Sequence, residues 1–215
     1  NAFINTKEVS ISLSEDLAEG TLILTSIAGS KDENSPHILP LTEDLRKIGI
    51  LEDRVFEKLD WVDGGTYRLE FSGIDFARNI ADKALVQNIT YDITNPIISI
   101  DNLLNDKHIN TNILSYTLSE PLANAMLTIT RTGGTEDENS PQSISFTPKE
   151  LSKGSFNDVV LNDNPKLNNG SVYTFELEGT DYASNKAKSV VIENITFDNQ
   201  PPELSISRPI DAEQI

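Results

Sequence analysis

The stretch SVYTFELEGTDYASNKA, residues 171–187, carries the pattern that decides the fold. Val172, Thr174, Glu176 and Glu178 alternate with Tyr173, Phe175, Leu177 and Gly179, the period-two pattern of a strand with one buried face. The strand runs into an acidic loop holding Asp181, Ala183 and Asn185. The same landmarks stand 106 residues earlier (173 − 67 = 106) as Tyr67, Gly73, Asp75, Ala77 and Asn79, and Asp92 answers Asp198. Earlier in each copy the offset is 105 (109 − 4 = 105): Ile4-Asn5-Thr6 returns as Ile109-Asn110-Thr111. Residues 32–36, DENSP, return unchanged at 137–141. A period this long is a whole domain, far longer than a solenoid repeat. The chain reads as a tandem array, and arrays of similar domains extend, space or link things.

Composition agrees with two domains in 215 residues. Acidic residues number 34 against 17 basic ones, for a net charge of −17. That balance disfavours nucleic acid and anionic membrane, which both need clustered Lys and Arg. It suits a soluble surface, or one that gathers cations. Cysteine is absent, which fits exported bacterial repeat proteins and intracellular proteins alike. No apolar run is long enough to span a bilayer as a helix, and no signal peptide is visible. The chain starts and stops inside the repeat pattern, which predicts a processed product or a piece of something longer.

In the second copy, residues 97–100, 113–118, 126–132, 143–147, 156–161, 172–178 and 188–197 carry β-branched or aromatic residues between Pro, Gly, Asn and Asp clusters. Seven short strands in one period predict an all-β chain of two tandem immunoglobulin-like antiparallel β-sandwiches. Only residues 43–47 and 149–153 could form a turn of helix, each ahead of a glycine, Gly49 or Gly154.

Several motifs then line up: Ser119-Glu120-Pro121-Leu122, the bend from Leu151 to Gly154, the strand opening Asn169-Gly170 before Tyr173-Thr174, the loop 181–185, and Asp198 ahead of Pro202. As a set, present in both copies, they resemble the Ig-like repeats of large bacterial cell-surface and adhesin proteins. Arg78 and Ser184 depart from the family pattern, which has glycine at that place in the loop. The resemblance implies extracellular or cell-surface stalks, often stiffened by calcium.

The residues point away from an enzyme. His37 and His108 occupy non-equivalent positions, no Ser–His–Asp order is credible, and Gly64-Gly65 and Gly133-Gly134 are turn pairs rather than phosphate loops. The acidic loops say more. Glu120, Asp181 and Asn185 belong to loops at one end of the second sandwich, and Asp92 and Asn95 lie in its incoming linker. Five oxygen-bearing side chains are thus expected to converge at the joint, as a candidate calcium site. Cadherin joints supply an analogy. Glu15, Asp75 and Asn79 are the equivalent partial set in the first copy. The competing explanation is turn capping, because Asp and Asn side chains bond nearby backbone. The unchanged DENSP loop points to a contact or ion role, or else to recent duplication or to Asp and Asn capping ahead of a Pro-stiffened turn. The Asn-Ile-Thr triplets at 88–90 and 194–196 match a glycosylation acceptor, and Trp61 is a candidate packing residue or sugar platform.

The copies divide the chain into a first sandwich at 1–95 without its first strand, a second at 96–201, and a segment 202–215. That segment opens like the strand after Pro96, with Leu204 and Ile206 on one apolar face. It reads as the first strand of a following repeat, or as a donor strand for the incomplete sandwich. The partners expected are copies of the chain, or adjacent repeats, placed head to tail. The functions in view are a structural unit of an extracellular filament or adhesin stalk, a module binding a glycan, protein or host surface, and an accessory domain of a secreted enzyme.

Overall fold

The computed structural model describes residues 2–161 and 165–206. Asn1, residues 162–164 and residues 207–215 lie outside that description, and with them the end of the expected donor segment. The first half contains β1 (Ala2–Ile4), β2 (Glu8–Leu13), β3 (Leu17–Gly29), β4 (His37–Pro40), β5 (Gly49–Val55), β6 (Gly65–Asp75) and β7 (Ala84–Tyr91). The second contains β8 (Ile98–Ile100), β9 (His108–Ile109), β10 (Ile113–Leu118), β11 (Leu122–Gly134), β12 (Gln142–Ser145), β13 (Gly154–Val160), β14 (Ser171–Asp181) and β15 (Val190–Phe197). Each expected strand of the second copy is present, and the one expected at 126–132 runs well beyond those bounds, as β11. The possible helical turn at 43–47 is a 3-10 turn at Glu43–Arg46.

Each half is an immunoglobulin-like sandwich. A five-stranded sheet, ordered β1-β7-β6-β3-β4, faces the pair β2-β5, and its counterpart β12-β11-β14-β15-β9 faces β13-β10-β8. Pairing is antiparallel except for β1 with β7 and β9 with β15, which are parallel. These two short strands escaped the sequence pattern, because two or three residues show no alternation. Between the sheets of the second half lie Leu127, Ile129, Tyr173, Phe175 and Leu177 on one side and Leu114, Tyr116 and Leu118 on the other. Leu22, Leu24 and Tyr67 play the same part in the first half, against Val9 and Ile11.

Each core has a tyrosine corner. The Tyr67 hydroxyl accepts the Val62 N–H at 2.8 Å and donates to Asp32 Oδ2 at 3.3 Å. The Tyr173 hydroxyl accepts the Asn168 N–H at 2.9 Å and donates to Asp137 Oδ2 at 2.7 Å. This accounts for the repeated DENSP loop. Its aspartate caps the Asn N–H two residues on, and its serine hydroxyl accepts a strand N–H at 2.7 Å in both copies. Burial works to raise the Asp137 carboxyl, and the bonds from Tyr173 and Asn139 outweigh it, leaving it below the ordinary value. Trp61 belongs to the first core, 5.1 Å from Tyr67 and 6.0 Å from Tyr91, and is buried. Leu167 stands at the equivalent place and packs against the second core.

The loops after β6 and β14 turn through left-handed backbone. Arg78 and Ser184 both have φ of 71°, a conformation that glycine adopts without strain. Asn88 and Asn194, at φ 57° and 59°, sit beside register shifts in the last strands, and asparagine tolerates that conformation better than most residues. The glycosylation triplets therefore also have a backbone reason for their asparagines.

The two sandwiches differ at one edge. β10 pairs with β13 on one side and β8 on the other, whereas β2 pairs with β5 and with no other described strand. The effect reaches the core. Phe175 and Leu177 are buried, but their equivalents Leu69 and Phe71 are half-exposed. In dilute solution the first sandwich should therefore melt at a lower temperature than the second, giving two calorimetric transitions. A first sandwich as stable as the second would contradict this account. Ser184→Gly should stabilise the second sandwich by up to about 1 kcal/mol, the relief of left-handed strain less the entropy glycine adds to the unfolded chain. A urea titration measures it, and a clear loss of stability would show the strain argument to be wrong.

Candidate metal centre at the joint

The linker between the sandwiches is tied down on both sides. Asp63 accepts the Ile93 N–H at 2.8 Å and the Thr94 hydroxyl at 2.6 Å. The Thr94 hydroxyl, then the Ile93 N–H, hold its carboxyl below the usual range. The Asp92 N–H donates to Ile4 O at 2.9 Å, and Asp92 Oδ1 accepts the Thr94 N–H at 3.1 Å. From the second sandwich, the loop after β14 comes up to meet this linker.

That loop is closed by Asp181 and Asn185. The Asn185 N–H donates to Asp181 Oδ1, and Asn185 Nδ2 to Asp181 Oδ2, both at 2.8 Å. Asn185 Nδ2 also donates to the Asp92 carbonyl at 2.8 Å, and Asn185 Oδ1 accepts from Asn5 Nδ2 at 3.2 Å. One buried amide therefore bonds its own loop, the linker and the first sandwich. Beside it Phe3 meets Tyr182, with ring centroids 5.6 Å apart.

The joint brings carboxylates together. Asp92, Glu120 and Asp181 each offer an oxygen, and these oxygens lie within 4.8 Å of one another. Asp181 is only 3% exposed. The three acids share a groove of about 340 Å³ with Phe3, Pro121 and Tyr182. Burial, helped by the charges of Asp181 and Asp63, pushes the Asp92 carboxyl up. Burial, followed by the charges of Asp92 and Asp181, does the same to Glu120. Asn95 is exposed in the linker, just before the buried Pro96. Asn185 presents its nitrogen, not its oxygen, to Asp181 and the linker.

The donors are all oxygen, with no sulfur or imidazole among the three, which matches a hard cation such as calcium or magnesium. The orientation of Asn185 explains its loop as a cap. Capping and cation binding are thus compatible here: the amide fixes the loop, and the carboxylates keep oxygens over.

In the first sandwich Asp75 and Asn79 repeat the closed loop, with bonds of 2.8 and 2.7 Å. The Asn79 side chain, then its N–H, lower the Asp75 carboxyl. Glu15, Asp75 and Asn79 line a groove of about 310 Å³, and among the described residues no third acid joins Glu15 and Asp75 as Asp92 joins the other pair.

No family model and no curated protein matches the chain. Among solved structures it is similar to the FN1–FN3 domains of chicken CNTN1, at 10% identity and a TM-score of 0.37, covering 91% of this chain and 62% of that one. It is also similar to a tetra-tandem repeat in the extending region of a large adhesion protein, at 14% identity and a TM-score of 0.33, covering 92% and 48%. The chain spans less than two thirds of either. No helix among the described residues is long and apolar enough to cross a membrane.

The raised carboxyl of Glu120 has a direct consequence. A folded-state pKa above the unfolded one means that the folded chain binds the proton more tightly, so stability falls as pH rises through that window. With divalent cations chelated at neutral pH, Glu120→Gln should raise the melting temperature by removing one of three crowded charges. The gain should shrink as pH falls through the raised Glu120 value. If Glu120→Gln melts lower at neutral pH without cations, the carboxylates are not in repulsion.

Proposed function

We propose that this chain is a structural repeat unit of an extracellular filament or adhesin stalk, with sandwiches placed head to tail and joints stiffened by calcium. The units are 1–95 and 96–201, and 202–215 opens the next repeat or donates its strand. The observation that carries this reading is the joint. Two copies of one sandwich meet end to end, and Asn185 bonds the Asp92 carbonyl of the linker and Asn5 of the first sandwich. Such a contact fixes the angle between repeats, which suits a part that sets length and direction.

In this reading Asp92, Glu120 and Asp181 supply the charged ligands. Asn185 holds the loop, and Asn95 lies within the same linker. A cation there neutralises the repulsion that raises Asp92 and Glu120. The role is mechanical and not catalytic. A sugar- or protein-binding module is the less favoured alternative: Trp61, the one tryptophan, is spent on the core, and the DENSP loops are spent on the tyrosine corners.

Binding to the folded state alone stabilises by mass action, by about 2.7 kcal/mol at a hundredfold excess over the dissociation constant. Calcium should raise the melting temperature and chelator should lower it, and Asp181→Asn should remove most of the response. In negative-stain images the angle between the two beads of a particle should spread more widely in chelator than in calcium. Melting and angle distributions that both ignore calcium would defeat the calcium joint.

A further inference from the structure

The two ends of the molecule repeat the two halves of its own joint. At the far end of the second sandwich, the Asp198 N–H donates to Ile109 O at 2.8 Å, as the Asp92 N–H does to Ile4 O at 2.9 Å. Asp198 Oδ1 accepts the Gln200 N–H at 3.1 Å, the counterpart of Thr94 on Asp92. Asn169 accepts the Asn199 N–H at 2.9 Å, where Asp63 accepts that of Ile93. The outgoing segment is therefore shaped like the internal linker. At the opposite end, Asp75 and Asn79 already hold the geometry of Asp181 and Asn185. Phe76 stands in the place of Tyr182 and is 72% exposed.

The open side of β2 belongs to the same end. In the second sandwich Ile98, Ser99 and Ile100 pair with Leu118, Thr117 and Tyr116. The Ser119 N–H donates to Ile97 O at 3.0 Å, and the Ile97 N–H to Ser119 Oγ at 2.8 Å. β2 offers Leu13, Ser12 and Ile11 at the matching positions, followed by Ser14. A Cβ on Gly179 would lie 3.2 Å from Ile98 Cδ1, so Ile98 covers that glycine. The equivalent Gly73 lines the groove of about 310 Å³ with Leu13, Leu17 and Phe71. The segment from Pro202 answers that from Pro96 at offset 106, and its Leu204 and Ile206 are 93% and 88% exposed.

We propose that the far end of the second sandwich seats on the first sandwich of a second copy in the geometry of the internal joint. This rests on the head-to-tail reading above. Residues 203–206 lie antiparallel along β2 of the receiving copy, with Leu204 opposite Leu13, Ser205 opposite Ser12 and Ile206 opposite Ile11. Leu204 enters the groove over Gly73. Asn79 Nδ2 donates to the Asp198 carbonyl, and Asp198 gathers with Glu15 and Asp75 as Asp92 gathers with Glu120 and Asp181. His108 meets Phe76 where Phe3 meets Tyr182. Each copy carries a net charge of −17, so salt or a divalent cation favours the contact.

The chain has no cysteine, so a pair of introduced thiols reports the register cleanly. The full chain with Ser12→Cys and Ser205→Cys, mildly oxidised at high concentration in calcium, should give a ladder of covalent multimers on a denaturing gel. Ser12→Cys with Glu203→Cys should give little. Adding Ile206→Asp to the first pair should abolish the ladder while the second sandwich keeps its melting temperature. Strings that form without the 12–205 crosslink, or that survive Ile206→Asp, would overturn the strand register and leave head-to-tail order standing. A crosslink confined to single chains would overturn the proposal, as would monomers at every concentration and calcium level. A strand from another source, such as a segment ahead of residue 1 in a longer polypeptide, would then cover β2. The calcium response of the internal joint is measured within one chain, so it stands or falls separately.

Discussion

The side-chain amide of Asn185 is the contact on which the arrangement of the two sandwiches depends. Its nitrogen serves the Asp181 carboxylate and the Asp92 carbonyl, and its oxygen takes the Asn5 amide. Aspartate is nearly the same size but cannot donate, and it would add a fourth charge beside three crowded carboxylates. A buried polar group with all its bonds made is rigid and specific, and one with bonds missing is costly. The joint is thus determined by hydrogen-bond geometry, with Phe3 against Tyr182 supplying a small apolar contact at its side. The carboxylates then sit where this lock places them.

The duplication also separates what the fold needs from what is free to differ between the copies. Strand bounds, the tyrosine corner, the buried loop aspartate and the left-handed turn residues recur in both halves. Core composition does not. Trp61 is replaced by Leu167, and Leu69 and Phe71 stand where the second copy has Phe175 and Leu177. The backbone plan tolerates these exchanges because hydrophobic burial depends mainly on apolar area, while the turns depend on particular donors and acceptors.

Much of the fold was legible in the residues. The alternation from Val172 to Gly179, together with the period, is enough for two sandwiches with their main strands. The short parallel strands β1 and β9 were not legible, because a pairing of two or three residues is set by the neighbouring strand and leaves no periodic trace. At the joint, the residue types and loop positions single out Asp92, Asn95, Glu120, Asp181 and Asn185; carboxyl oxygens of Asp92, Glu120 and Asp181 lie within 4.8 Å of one another, whereas Asn185 turns its nitrogen to the linker and Asn95 is exposed. Sequence cannot reveal which way an amide faces, so the bonding of Asn185 emerged only in three dimensions. Asn5 and Phe3 carried no signal of their own. Both matter through neighbours about 180 residues away in the chain.

The short parallel pairs give each sandwich a mechanical character. β9 follows β8 and lies parallel to the end of β15, the strand by which the chain leaves. Tension along the polypeptide pulls these neighbours in opposite directions along their common axis. The bonds between them, such as those from Thr196 N to Lys107 O and Asp198 N to Ile109 O, are then loaded together in shear. An antiparallel hairpin pulled from its two ends opens one bond at a time. β1 and β7 repeat the parallel arrangement, so each sandwich meets a stretching force with a patch of bonds that are loaded together.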